Sequence, residues 1–420
     1  MSFQQGLSGL NSTNKNLEII GNNIANSNTY GSKVSRAEFA DVYAASLNGA
    51  GSNNVGIGVN LAAVSQQFTQ GNITTTENPM DLAINGAGFF QVTDGRNPVT
   101  YTRNGQFKVD RDGFIVNNGG DKLVGYMADA NGIILPGQSV PLQLPTAGIA
   151  PQATSRVDVE MNLDSRKAVT APTAGPQIDF ADPATFNNAT SLTVYDAKGQ
   201  DIALTYYFQK SGNDTWNIFA TANGQTLRGT AAAPLPLTTV TFAADGSRPV
   251  SPAGDVVFDI ASTVNGAGAL TVPITGMAFD VSSVTQYGSP FGVTDMQQNG
   301  FSAGMLSSLA VEANGMIMAR YSNGESKPAG QVELATFRNP QGLQPLGGNG
   351  WGATVAAGDA VVGVPGEGNL GVLQAGALEE SNIDLTGELV SMITAQRTYQ
   401  ANAQTIKTMD SVLQTLVNLR

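Results

Sequence analysis

Both ends of the chain carry apolar residues seven apart, and the long stretch between them does not. Near the amino terminus Phe3, Leu10, Leu17 and Ile24 stand at that interval, and Leu7 fills the intervening position of the first heptad. From Glu388 to Arg420 there is neither glycine nor proline. There Leu385, Met392, Tyr399, Ile406 and Leu413 repeat the interval, with Leu389, Ala403 and Val417 at alternate positions. Such a repeat marks a helix that pairs with another helix along a coiled-coil-type seam. The first helix needs that partner, because Gly6, Gly9 and Gly21 each cost about 1 kcal/mol relative to alanine in a helix interior. Gln396 and Asp410 interrupt the second seam and either pin its register or face water. Ser381, Asn382 and Asp384 offer capping oxygens ahead of the second helix, and Asp384 and Glu388 place negative charge at its positive end.

Two readings of the pairing stand side by side: helices joined inside one folded subunit, or a seam for self-assembly. Gln400, Asn402, Gln404, Gln414 and Asn418 favour the second, since a freely solvated helix usually carries lysine and glutamate instead. Between the ends the signal turns to strand and hairpin. Turn dipeptides at Asn85-Gly86, Asn104-Gly105, Asp112-Gly113 and Asn131-Gly132 separate strand-like stretches at 88–93, 105–109 and 122–127. The pattern returns at Asn314-Gly315 and Asn323-Gly324, around 308–313, 316–322 and 331–337. Ten of the 19 prolines fall between Pro145 and Pro273, beside strand-like runs at 191–197, 201–210 and 215–222. This predicts a multidomain α+β chain: paired terminal helices plus two mainly β domains, the outer inserted into the inner. The expected boundaries are 1–70 with 366–420 for the helical core, 71–145 with 285–365 for the inner β-domain, and 146–284 for the outer.

The 420 residues can bury more than one core. Net charge is −12, so counterion release from a phosphate backbone cannot drive binding and nucleic acid is not an expected partner. No apolar run approaches the roughly 20 residues that span a bilayer, and the first twenty residues lack the basic and apolar regions of a secretory signal. Membrane insertion and a cleaved leader are therefore not expected.

Cysteine and histidine are both absent. That removes thiolate nucleophiles, disulfides and sulfur or imidazole metal ligands. Four other constellations carry no chemistry. Gly366–Gly371 matches a dinucleotide fingerprint without the strand-turn-helix context, and Ser12 to Lys15 matches S-x-x-K without its companion triplets. Asp110 to Gly113 begins like a calcium loop but has Asp121 where the twelfth-position glutamate belongs, so it reads as a hairpin turn. Glu379 and Glu380 are adjacent and point apart, so they read as a solvated pair near a helix start. No enzyme and no cofactor is expected.

Residues 6–33, centred on Gly21-Asn22-Asn23-Ile24-Ala25-Asn26 and ending Tyr30-Gly31-Ser32-Lys33, resemble the amino-terminal signature of the flagellar rod and hook axial proteins. Ala37 to Tyr43 and Tyr101-Thr102-Arg103-Asn104-Gly105-Gln106-Phe107 also resemble that family. So do Ala377 to Leu385, with Ser381, Asn382 and Asp384, and Ala395 to Lys407, with Gln396 and Arg397. Ser32 departs from it, standing where the family commonly has an aromatic residue. Leu192 to Gly199 is similar to the outer domain of the hook proteins in this family, whereas the rod proteins are shorter. The resemblance implies a structural subunit of the flagellar hook. Its helices would lie innermost around a channel, and its copies would assemble helically beneath a cap after export by the flagellar type III apparatus. The implied partners are further copies of the chain, the distal rod, the hook cap and the hook–filament junction proteins. The location implied is the extracellular hook, with a junction or long distal-rod protein as the nearest alternative and a secreted adhesin-like module as a distant one.

Overall fold

Two long helices bracket a chain that is otherwise strand. The computed structural model describes residues 3–42, 56, 58–129, 132–172 and 178–418, the last three by backbone alone. Tyr43, Asn131 and Arg420, and the side chains of Val417 and Asn418, lie outside what is described. Helix α1 spans Phe3–Ala25 and helix α2 spans Leu385–Asn418, so both predicted helices are present. The fold is mainly β with these two helices and several separate sheets. No helix among the described residues is long and apolar enough to cross a membrane.

The chain divides into two compact units. The first holds Met1–Thr146, Ser308–Arg320 and Ser326–Arg420, and the second holds Ala147–Ser307 and Tyr321–Glu325. In the first, strands Met316–Tyr321, Ser326–Val332, Lys122–Met127, Phe89–Thr93, Thr100–Thr102, Gly350–Gly352 and Gln344–Gly347 follow one another across the main sheet. Phe89–Thr93 is buried along almost its whole length, as befits a strand covered on both faces. Beneath it Phe68, Phe89, Tyr101, Phe337 and Trp351 pack edge to face, with ring centroids 4.7 to 6.0 Å apart. Asp112-Gly113 makes the predicted turn. Gly113 has φ 86°, and Asp110 Oδ1 accepts the backbone N–H groups of Asp112 and Phe114.

Glu333 sits in this unit wholly buried with neutral neighbours. Gln91 Nε2 and Ser139 Oγ donate to its carboxylate at 2.8 and 2.7 Å, and the Tyr126 hydroxyl bonds it too. Burial raises its pKa above the usual glutamate range, and the hydrogen bonds of Ser139 and Tyr126 offset this only in part. The Tyr101 and Tyr126 phenols facing it are raised by burial and by its charge.

In the second unit two larger sheets enclose one core. Strands Val256–Ile260, Ile274–Thr285, Arg156–Asn162 and Gly292–Gln298 form the first, and Asn188–Tyr195, Asp201–Lys210, Thr215–Ala222, Thr238–Phe242 and Pro249–Ser251 run across the second. Arg156–Asn162 and the first half of Asp201–Lys210 alternate buried with open positions, the period-two pattern of a sheet with one covered face. Val157, Val159 and Met161 from one sheet meet Leu204, Tyr206, Phe208 and Trp216 from the other. The unit continues to Ser307, past the expected return at 285, because Gly292–Gln298 completes the first sheet against Arg156–Asn162. That strand lies at the edge and is mostly exposed, so it has no apolar alternation to announce it.

Tyr206 is fully buried and stacked on Phe279 at 4.3 Å, and its hydroxyl has no hydrogen-bond partner. An unpaired buried hydroxyl costs about 1–3 kcal/mol. Tyr206→Phe is therefore expected to leave the unfolding midpoint of this unit unchanged or raise it, and a fall would show that the hydroxyl is satisfied. For Glu333 the folded state binds its proton more tightly than the unfolded chain. Its stabilising contribution is full below the unfolded pKa and is lost as pH rises through the folded one. Glu333→Gln should gain stability relative to the parent between acid and neutral pH, which denaturation at a series of pH values checks.

Candidate functional site

Four stretches far apart in sequence converge where the helices join the β-structure of the first unit. Leaving α1, the chain turns at Gly31, whose φ of 71° suits glycine and whose N–H donates to Glu379 O at 2.8 Å. A Cβ there would stand 2.5 Å from Asn104 N, which is too close for any other residue. Gly105 is held as tightly, since its Cβ would stand 1.6 Å from Leu82 O.

The centre of the convergence is charged and buried. Glu379 takes Lys33 Nζ on Oε1 at 2.5 Å and Arg103 Nη1 on Oε2 at 3.0 Å, with the Lys33 and Glu379 side chains fully buried and that of Arg103 only 4% exposed. Gly71 N donates to Oε1, Lys33 Nζ also donates to Thr69 O, and Arg103 Nη2 donates to Gly86 O. Arg103 Nε is buried without a partner. Burial holds both cations below their ordinary pKa range, against the pull of Glu379. The sequence reading placed Glu379 in solvent beside Glu380. The structure corrects this, because strand Ala377–Glu379 pairs with Ile73–Thr75 and turns the side chain inward.

Around this cluster the amides are fully used. Asn382, expected as a cap, instead donates through Nδ2 to Gln67 O and Thr69 Oγ1 and accepts Val34 N. Asp384 makes the cap, its Oδ1 accepting Thr386 N at 3.0 Å, while Ser381 Oγ accepts Ile383 N. Asn23 is buried, brackets the backbone of Ser35 and donates to Glu388 Oε1 on α2. Asn26 donates back to Asn22 within α1. Tyr101 and Phe107 are buried against Phe337 and Phe90, and Ser32 is buried in the turn. Gln396 and Arg397 project from exposed positions of α2 and take no part in the cluster.

The two helices pack antiparallel, and on α1 the closest contact runs beside the leucine series rather than along it, while Ile406 of the expected α2 series takes part. Gly6 faces Ile406, Gly9 faces Asn402, and Asn23 reaches Glu388. The buried positions of α1 are Gly6, Thr13, Ile20 and Asn23, so small residues let the helices approach. The expected series lies one residue on, about 100° around the helix. Leu10, Leu17 and Ile24 are half-buried, whereas Phe3 and Leu7 are 48% and 44% exposed. On α2, Met392 and Ile406 are half-buried as expected. Glu388 and Ala395 are more buried than the expected Leu389 and Gln396, whereas Asn402 and the expected Ala403 are both half-buried. Leu385, Leu389, Tyr399 and Leu413 are 36–51% exposed. Ser8 ties α1 to the hairpin of Ser35–Val42 and Gly58–Gln66, its Oγ both accepting Val59 N and donating to Val59 O.

Family models match the chain in four segments. Residues 3–33 match "Flagella basal body rod protein", 83–161 the "Flagellar hook protein FlgE/F/G D1 domain", 162–301 the "Flagellar basal body protein FlaE D2 domain", and 374–419 the "Flagellar basal body rod FlgEFG protein C-terminal". The flagellar hook protein FlgE of Salmonella typhimurium is 38% identical over 422 residues, covering 100% of both chains. The chain belongs to the flagellar hook protein family. Its function is that of a structural hook subunit. The Escherichia coli K12 hook protein is likewise 38% identical, over 425 residues. A crystal structure of the Helicobacter pylori flagellar hook protein FlgE2 shares the fold at TM-score 0.52 and 14% identity, covering 73% of this chain and 99% of that one. Within the hook family match, Lys33, Arg103 and Glu379 fall in three different matched segments.

Because a Cβ at Gly9 would stand 2.9 Å from Asn402 Nδ2, a bulky side chain there must displace Asn402 from the helix contact, and such overpacking should cost about 1–3 kcal/mol. Gly9→Leu is expected to loosen α1 from α2 within the isolated subunit, read as lost hydrogen-exchange protection in both helices. Leu7→Ser, on the exposed face, should leave that protection unchanged.

Proposed function

We propose that this hook subunit polymerises helically into a short curved tube that carries torque from rod to filament as a universal joint, and that it catalyses nothing. The observation that carries this reading is the unspent apolar surface of the helix pair. The pair buries small residues at its own contact and leaves Leu7, Leu389, Val390, Ile393 and Leu413 at 40–60% exposure. An apolar face of this kind calls for neighbours. Contact between unlike faces of identical subunits, repeated about an axis without closing, builds an open helical polymer.

In this reading the helical core is 1–70 with 366–420, and the inner β-domain and the outer one divide the rest near 146 on the way out and, since Gly292–Gln298 pairs in the second unit, after Ser307 rather than at 285 on the way back. The second compact unit lies within the sequence span of the first, which supports the nesting. The seam residues Leu7, Leu10, Leu17, Ile24, Leu385, Leu389, Met392, Tyr399, Ile406 and Leu413 serve contacts between copies as well as within one. The distal rod, hook cap and junction proteins are the partners at the two ends of the tube, reached by export through the flagellar type III apparatus.

The test is complementation of a strain lacking the gene, with electron microscopy of sheared flagella. The parent chain should restore curved tubes. Leu7→Ser with Leu389→Ser should secrete a folded subunit that builds none. Normal tubes from that double variant would overturn the assembly role of the exposed seam.

A further inference from the structure

Lys33 and Arg103 bring two buried positive charges to one buried carboxylate. A buried cation deprived of its partner cannot remain in place without water, so loss of Glu379 should open whatever Lys33 and Arg103 seal. They seal the roots of both helices. Lys33 lies two residues beyond the turn that ends α1, and Glu379 six residues before α2 begins.

We propose that Glu379 is the positioning residue that seats both terminal helices on the inner β-structure, and that its pairing with Lys33 makes seating wait for the far end of the chain. The inference rests on the reading of the helices as the assembly core. Lys33 and Glu379 are 346 residues apart in sequence. Until the carboxyl-terminal segment arrives, Lys33 has no counter-charge inside and stays in water, which leaves its turn open. Helix α1, with three glycines and only Lys15 and Glu18 as charges, does not persist alone. Arrival of Glu379 supplies the charge, takes Gly71 N onto its carboxylate and Gly31 N onto its main-chain carbonyl, and closes the turn, the 67–71 segment and the Arg103 loop together. The lock separates an open subunit still in transit from one whose two helices are set for packing. Glu380 is not part of it, since its carboxylate accepts Asn72 Nδ2 at the exposed edge of the same ribbon.

Full-length subunits carrying Glu379→Gln, Lys33→Met or Glu380→Gln would be compared by hydrogen exchange and by extension of preformed hook fragments. Glu379→Gln should lower protection of residues 4–25 and 386–410 by about 100-fold or more, the size of a broken buried pair. Residues 89–93 and 201–210 should keep theirs, extension should fail, and Glu380→Gln should behave as the parent. Lys33→Met removes the cation that must wait and leaves the Arg103–Glu379 pair balanced, so 31–35, α1 and 377–382 should all keep protection close to the parent's. Unchanged helix protection in Glu379→Gln would overturn the proposal. So would a parallel loss at 89–93 in both Glu379→Gln and Lys33→Met, which marks an ordinary core residue. If Glu379→Gln alone does not fold, the Lys33→Met pattern decides. Helices opened as expected while hooks still extend would keep the lock and sink the reading of the helices as the assembly core.

Discussion

A carboxylate buried away from bulk solvent must be held by cations and N–H groups, and at Glu379 that requirement organises the terminal half of the first unit. Two cations, a lysine from near one end of the chain and an arginine just past strand Thr100–Thr102, are brought to it, one of its oxygens also accepts Gly71 N, and its main-chain carbonyl accepts Gly31 N. Such a cluster adds little net stability over a well-packed apolar one, but it tolerates no partial occupancy. What it contributes is definition: each helix root has one place to go. The amides of Asn23 and Asn382 then hold the backbone at Ser35, Val34 and Gln67, where the Ser35–Val42 and Gly58–Gln66 strands meet the helix roots.

Above these roots the helices divide their surfaces. Glycine, threonine and alanine face the partner helix within the subunit, where close approach matters. Leucine, valine and isoleucine lie to the sides, where a subunit alone leaves them partly in water. The first contact is set by shape and the second by area, so the isolated pair is assembled without exhausting its apolar surface. The second unit shows the opposite economy, with Trp216, Phe208, Tyr206 and Phe279 wholly enclosed between two sheets.

Much of this was legible in the sequence. The heptad spacing marks both helices, and the Asp–Gly and Asn–Gly turns, the alternation at 201–210 and the proline-rich middle mark the β-structure. The stripe used within the subunit was not legible from apolar spacing, because it is made of Gly6, Gly9 and Thr13. Their three- and four-residue steps were the available signal, and glycine was weighed there only as a cost. The role of Glu379 has no local signature. Neighbouring carboxylates look solvated in sequence, and only the pairing of Ala377–Glu379 with Ile73–Thr75 decides which of the two turns inward. A lysine just past a glycine turn, in a chain with so few charges, was the hint. Asn382 was misjudged for a related reason: any polar residue before a helix resembles a cap, and Val34 N, 348 residues away, takes the Oδ1 that would have capped the helix.

The outgoing and returning chains run side by side between the helices and the sheet, Ile73–Thr75 against Ala377–Glu379 and then Leu82–Asn85 against Val372–Ala375. Both therefore leave the β-structure at the same end of one antiparallel ribbon. An axial pull on the helix pair is shared by two covalent backbones, and the ladder between them carries little of it. A pull on one helix alone peels the ribbon bond by bond from Glu379 inward. The subunit is thus built like a twin-stranded tether, strong when its two ends are loaded as one and weak when they are loaded apart.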